Sequence, residues 1–261
     1  MKVSPAKLSE MKRRGEKIAA LTAYDFITAQ IMDEAGIELI LVGDSLGVVV
    51  LGYENTLPVT MAELVHHTRA VARAKPQALI VGDLPFRSYE TIVQARENAG
   101  LFQQAGADAV KLEGGEAVAE RVAALTPQIP VLGHIGLLPQ SVPTGSGFRV
   151  QGRTAESAEQ LLRDAQAIAA AGAFAIVIEC TVADVAREIT AAVKIPTLGI
   201  GAGNGCDGQI LVSSDMLGQF TRFAPKHAKR YANLADEMRR AFLAYRREVE
   251  SGEFPGTDHS F

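Results

Sequence analysis

Asp44, Asp83, Glu113, His134 and Glu179 each stand where a short apolar run gives way to a turn: LILVGDS, LIVGDLP, VKLEGG, VLGHIG and IVIEC. Carboxylates at the ends of buried runs hold cations or move protons, and an imidazole among them does so near neutral pH. Gathered in one cavity, carboxylates repel one another unless something positive lies between them. Oxygen donors with one imidazole and no thiolate favour a hard cation such as Mg²⁺. Lys111 lies two residues before Glu113 on the same run, so the two side chains share a face. A lysine among carboxylates keeps its charge, which suits it to clamping an oxyanion or a substrate carboxylate rather than to Schiff-base chemistry. Taken singly, each carboxylate reads equally well as a helix cap or rim salt bridge, and Lys111 as the internal partner of Glu113. The repetition along the chain is what points to one shared site.

These residues can meet only if their strands converge. Apolar runs recur at Ile18–Ala23, Glu38–Val42, Ala78–Val81, Ala109–Leu112, Val131–Leu132, Ala173–Ile178, Thr197–Ile200 and Gln209–Val212. Continuous rather than alternating apolarity suits parallel strands buried on both faces, and eight of them suit a closed (β/α)8 TIM barrel. Helical segments separate the runs. Thr154 caps a predicted helix reaching Ala171, with Leu161, Ala165, Ile168 and Ala169 on one face and Gly172 as its stop. Asp25–Ala35 reads as a helix facing inward through Ile27, Ile31 and Ala35, and Leu234, Met238, Phe242 and Tyr245 stripe a long final helix. An AGA or AGI stop before a strand occurs at Ala35, Ala105 and Ala171. This pattern favours repeated βα units over a flavodoxin-like open sheet.

The 261 residues carry 26 Lys+Arg against 30 Asp+Glu, a net charge of −4 that argues against a nucleic-acid surface. Two cysteines, Cys180 and Cys206, cannot build a disulfide framework, so a reducing, cytoplasmic setting is expected. The first twenty residues lack an apolar leader segment, and Val48–Leu51 is too short to span a bilayer, so no membrane partner is expected. No linker divides the chain, which reads as a single domain over 1–261 with a short tail at 251–261.

Gly203-x-Gly205-x-x-Gly208 matches a dinucleotide fingerprint as a string, but a strand-like run follows where a helix should begin, so it reads as a turn after strand seven. His66 and His67 fall on a predicted helix as surface or packing residues, and Lys226–Arg230 as a solvated basic face. Two loops are candidates for function: Ser45–Pro58, whose adjacent aliphatics need cover, and the glycine-rich Val142–Gly152, with the composition of a lid.

The segments LTAYDF, LVGDSLG, TLPVT, DLPF, VKLEGG, GHIGLLPQS, QGR, IECT, GIGAGNGCDGQILV and PGTDHSF run in order from Leu21 to Phe261. Together they resemble the 3-methyl-2-oxobutanoate (ketopantoate) hydroxymethyltransferases. The resemblance implies a TIM barrel of the phosphoenolpyruvate/pyruvate-type superfamily, cytoplasmic and homodecameric. It implies transfer of a one-carbon unit from 5,10-methylenetetrahydrofolate to 3-methyl-2-oxobutanoate, towards pantothenate. Carried over by position, Asp44, Asp83 and Glu113 bind Mg²⁺, and Asp44, Ser45, Asp83 and Lys111 contact the oxo acid. Glu179 is then the general base, with His134 near the substrate. Two readings stand beside this one: a folate-independent carbon–carbon lyase or mutase acting on 2-oxo acids, and a non-catalytic assembly protein whose carboxylates merely pair with cations.

Overall fold

A computed structural model describes residues 2–141 and 149–261. Eight parallel strands, β1 (Ile18–Thr22), β2 (Leu39–Val42), β3 (Leu79–Asp83), β4 (Ala109–Glu113), β5 (Val131–Gly136), β6 (Ala175–Glu179), β7 (Thr197–Ile200) and β8 (Gly208–Leu211), close in sequence order into a barrel. The open-sheet alternative is thereby excluded. Residues 1–211 form one compact unit that contains the barrel; residues 212–261 form a second.

Alternation along the strands sorts their residues into two layers. Ile40, Val42, Ile80, Val110, Leu112, Val131, Ile135, Ile176 and Ile178 pack outward beneath the helices. Leu39, Leu41, Leu79, Val81, Ala109, Leu132, Ala175 and Val177 fill the barrel interior. On a period of two, the next inward positions toward the C-terminal ends are Asp83, Lys111, Glu113, His134 and Glu179. The apolar interior thus stops where the polar layer begins.

The helix Pro5–Arg14, capped by Ser4 and ended by Gly15 at φ 69°, buries Leu8 and Met11 against the interior cluster. Its charged residues concealed this role in the sequence, where only the lack of an apolar leader was apparent. The helix predicted after Asp25 is present at Phe26–Glu34, yet its expected inward face is corrected. Ile27 and Ile31 are 66% and 59% exposed, whereas Ala29 and Met32 are buried. Small Ala29 permits the close approach that isoleucine would block. Thr154 caps the helix Ala155–Ala170 as expected, and Leu161, Ala165 and Ile168 are its buried face.

β3 runs close beneath the helix Ile92–Ala105, because Gly82 leaves room for the Phe102 ring. A β-carbon at this position would overlap that ring. Gly82→Ala is expected to destabilise the fold by about 1–3 kcal/mol through overpacking. A lowered urea midpoint with an unchanged m-value is the expected reading; an unaltered midpoint would show that the packing yields.

In the second unit, the helix Leu234–Ser251 is followed by a short turn at Thr257–His259. None of the residues of this helix is buried, so the expected stripe of Met238, Phe242 and Tyr245 forms no core here. Among the described residues, no helix is long and apolar enough to cross a membrane. The glycine-rich stretch after β7 is a turn, with Gly201 and Gly203 at φ 64° and 75°, and it leads into β8 rather than into a helix. Most of the lid candidate Val142–Gly152 lies outside the described residues.

Candidate active site

Strand register sets the spacing of the polar layer. Asp83 on β3 is level with Lys111 on β4, and Glu113 on β4 is level with His134 on β5. Paired residues on parallel strands point the same way, so both pairs enter the barrel mouth together. Lys111 Nζ donates to Asp83 Oδ1 at 2.7 Å and lies 3.7 Å from Glu113 Oε1. His134 Nδ1 stands 3.4 Å from Glu113 Oε1, and its Nε2 stands 3.2 Å from Glu179 Oε2. These two contacts are ion-pair contacts, because neither ring nitrogen attains hydrogen-bond alignment among the described residues. The expected substrate contact His134 therefore turns both nitrogens toward carboxylates.

Asp44 and Ser45 follow β2 at the first turn beyond the strand. The Asp44 backbone N–H donates to Asp83 Oδ2 at 3.1 Å, which draws the two aspartates together. Ser45 Oγ shares a 2.8 Å hydrogen bond with the Tyr24 hydroxyl, and His67 Nδ1 meets the Tyr24 carbonyl at 2.6 Å. His67 thus anchors the residue that positions Ser45, a role its helical placement did not suggest. All seven expected site residues lie at this end of the barrel. Asp44, Asp83, Lys111, Glu113 and His134 are buried, whereas Ser45 and Glu179 are partly open to solvent.

Four carboxylates confront one lysine and one histidine, and the imbalance shifts their acidities. Burial and the Asp83 charge raise the Asp44 pKa to about 8, against the pull of Lys111 and Gln140. Burial likewise raises Asp83, despite Lys111. Glu113 is pushed up by burial, but His134, Lys111 and the Gln140 N–H outweigh that and hold it below the usual value. Burial opposes charge on Lys111, yet Asp83, Glu113 and Asp44 prevail and keep it firmly protonated. For His134, burial is overcome by Glu113 and Glu179, and the pKa rises to about 9. With every group ionised, the cluster holds two more negative charges than positive ones. A proton on Asp44 relieves this in part, and a divalent cation relieves it fully.

Among the described residues, no three His, Cys, Asp or Glu side chains form a finished metal cage. The cluster nonetheless fits a hard cation that brings its own oxygens. Mg²⁺ characteristically takes one or two protein carboxylates and fills its remaining positions with water and substrate. The converging Asp44 and Asp83 offer such a pair, and Glu113 Oε1 is buried with no hydrogen-bond partner among the described residues.

The raised pKa values of Asp44 and His134 make stability depend on pH with a definite sign. Between pH 3.8 and about 8 the folded Asp44 retains a proton that the unfolded chain releases, and His134 does the same from 6.5 to about 9. The native state then binds more protons, so stability in chelator falls as pH rises through this window. Glu113 acts oppositely, but only as pH drops toward and below its ordinary value of 4.5. Urea titrations between pH 5.5 and 8.5 should show this decline; a rise with pH would contradict the assigned protonation.

Three participants carried no signal of their own in the sequence: Tyr24, Tyr89 and Gln140. Gly136, at φ 94°, turns the chain at the end of β5, and Leu137 then bonds to the Glu179 carbonyl. A β-carbon on Gly136 would strike that carbonyl. The tight turn carries Gln140 across the mouth, where it is buried beside Asp44 and Glu113.

An eight-stranded parallel barrel with ionisable residues crowded at the C-terminal strand ends defines a TIM-barrel protein whose site is built for charge chemistry. Solved structures of the same fold include phosphonopyruvate hydrolase in complex with oxalate and Mg²⁺, with a TM-score of 0.63 at 15% identity over 98% of this chain and 93% of that one. Another is 2,3-dimethylmalate lyase, a PEP mutase/isocitrate lyase superfamily member, with a TM-score of 0.61 at 14% identity over 100% and 92% of the two chains. At such identities the likeness is one of fold. Sequence likeness goes further. The ketopantoate hydroxymethyltransferase family model matches residues 2–257. The 3-methyl-2-oxobutanoate hydroxymethyltransferase of Moorella thermoacetica is 56% identical over all of this chain and 98% of that protein. Its counterpart from Syntrophus aciditrophicus is 54% identical over 100% and 97%. The chain belongs to the ketopantoate hydroxymethyltransferase family.

Proposed function

We propose that this chain transfers a hydroxymethyl unit from 5,10-methylenetetrahydrofolate to 3-methyl-2-oxobutanoate, giving 2-dehydropantoate on the route to pantothenate. The observation that carries this reading is the buried Asp44–Asp83–Lys111–Glu113 cluster, linked through His134 to the more open Glu179, in a chain of this family. Asp44, Asp83 and Glu113 are the residues to hold Mg²⁺, with Asp44, Ser45, Asp83 and Lys111 receiving the oxo acid. Bound Mg²⁺ supplies Lewis acidity, which makes the hydrogen on C3 of a chelating 2-oxo acid easier to remove.

Glu179 takes that proton. Its partial exposure suits a group that must meet substrate, and His134 fixes its orientation at 3.2 Å. Lys111, held by Asp83, sets a fixed positive charge against the oxygen that becomes negative as the proton leaves. The electron pair freed at C3 forms the new bond to the folate-borne methylene carbon as one of that carbon's two carbon–nitrogen bonds breaks, the departing nitrogen keeping the electron pair and taking up a proton. Water then displaces the remaining nitrogen, its oxygen bonding to the same carbon and its proton passing to that nitrogen, which releases tetrahydrofolate and the hydroxymethyl product. Cytoplasmic location and homodecameric assembly belong to the same reading; sedimentation should then give about ten times the 27.8 kDa chain mass.

Incubation of the protein with 3-methyl-2-oxobutanoate, 5,10-methylenetetrahydrofolate and Mg²⁺ should yield 2-dehydropantoate and tetrahydrofolate in equal amounts. Oxo-acid cleavage without folate, and no product with it, would replace the transferase by a lyase.

A further inference from the structure

Gln140 ties two carboxylates of the cluster to the connections around the mouth. Its side-chain Nε2 donates to Asp44 Oδ2 and to the Leu84 carbonyl, both at 3.1 Å. Its backbone N–H donates to Glu113 Oε2 at 3.0 Å. Its Oε1 accepts from the Tyr89 hydroxyl at 2.7 Å. Both amide hydrogens are therefore used, and the amide can adopt only one orientation. Rotating it by half a turn would set Oε1 against a carboxylate and a carbonyl, and would leave the tyrosine facing an NH₂ group. Gln140 is only 3% exposed, so solvent cannot compensate for such a rotation.

These contacts span three strand ends. Asp44 follows β2, Leu84 follows β3 and Glu113 ends β4, while Gln140 itself follows β5. One oxygen of each of two carboxylates is thus tied to a single residue, and Glu113 Oε1 is left without a hydrogen-bond partner among the described residues. A carboxylate held by one oxygen presents the other in a fixed direction, which a ligand otherwise has to select at an entropic cost.

We propose that Gln140 is the positioning residue of this site, its amide locked by Tyr89 so that Asp44 and Glu113 face the cation and the oxo acid. This inference rests on the cation-binding reading given under Proposed function. Gln140 acts through the carboxylates and need not touch substrate. Tyr89 acts one step further out, through Gln140.

The test measures Mg²⁺ binding calorimetrically in the full chain, beside C3-deuteron exchange and the urea midpoint in chelator. Gln140→Leu, which keeps the bulk and removes the amide, should weaken Mg²⁺ binding by about 10- to 100-fold, the usual effect of removing a partner behind a ligand. Tyr89→Phe should weaken it less. The double variant should lie close to Gln140→Leu alone, because the tyrosine reaches the carboxylate side chains through the amide, and its other contact is a longer 3.4 Å hydrogen bond to the Glu113 backbone carbonyl. A merely structural role predicts additive loss of stability with unchanged affinity in whatever fraction remains folded. If Gln140→Leu fails to fold, Tyr89→Phe decides: undiminished Mg²⁺ affinity there overturns the proposal. Wild-type affinity in Gln140→Leu, with Asp44→Asn impaired, overturns the positioning role and leaves the cation reading intact. Undiminished affinity in Asp44→Asn as well overturns both.

Discussion

Glu179→Gln is expected to abolish exchange of the C3 hydrogen of 3-methyl-2-oxobutanoate with solvent, while leaving Mg²⁺ and oxo-acid binding nearly unchanged. The amide keeps the shape of the carboxyl group and cannot accept the proton. Loss of a positioned general base typically costs about 10²- to 10⁴-fold in rate. Glu179 lies at the open side of the cluster, with His134 between it and Glu113, so its charge can be removed without dismantling the buried Asp83–Lys111 pair. Exchange at the wild-type rate in this variant would assign the base elsewhere. Loss of binding together with exchange would make Glu179 a binding group instead.

Asp83→Ala is the second large effect, and it should act on two properties at once. Asp83 is 1% exposed, accepts from Lys111 Nζ at 2.7 Å and from the Asp44 N–H at 3.1 Å. Its removal takes away the hydrogen bond of a buried lysine, leaving it only the 3.7 Å contact with Glu113, and releases the backbone that aims Asp44. Breaking a buried pair by deleting one partner destabilises by about 3–5 kcal/mol. Mg²⁺ and oxo-acid binding should fall together, because one is bound through the other in this reading. Calorimetry would show both losses, and thermal unfolding the lowered midpoint. Unaltered Mg²⁺ binding in a folded Asp83→Ala protein would remove Asp83 from the cation site. Together the two variants separate proton removal from cation binding.

Much of this arrangement was legible in the chain. The eight apolar runs mark all eight strands, because parallel strands buried on both faces leave an unbroken apolar record. The strand-end residues were legible through repetition: a single carboxylate after an apolar run reads equally well as a helix cap or rim salt bridge, but one run after another ending in an ionisable residue points to a shared mouth. Lys111 and Glu113 came as a pair through the period of two. Gln140 and Tyr89 left no comparable trace. They lie on connections, where no periodicity reports direction, and an uncharged amide or phenol beside a turn looks like any surface residue. The inward face of Phe26–Glu34 was misjudged because apolar spacing selects a stripe without revealing whether large Ile27 or small Ala29 meets the barrel. The helix Pro5–Arg14 was missed because two apolar residues, Leu8 and Met11, suffice to cover the barrel interior amid many charges.

The most direct measurement is proton NMR of 3-methyl-2-oxobutanoate deuterated at C3, incubated in ordinary water with the unaltered protein and no folate, with Mg²⁺ and then with chelator. A cation-assisted proton abstraction predicts appearance of the C3 proton signal with Mg²⁺ and its suppression in chelator. Retention of the deuterium under both conditions, with Mg²⁺ and substrate shown to be bound, would contradict it.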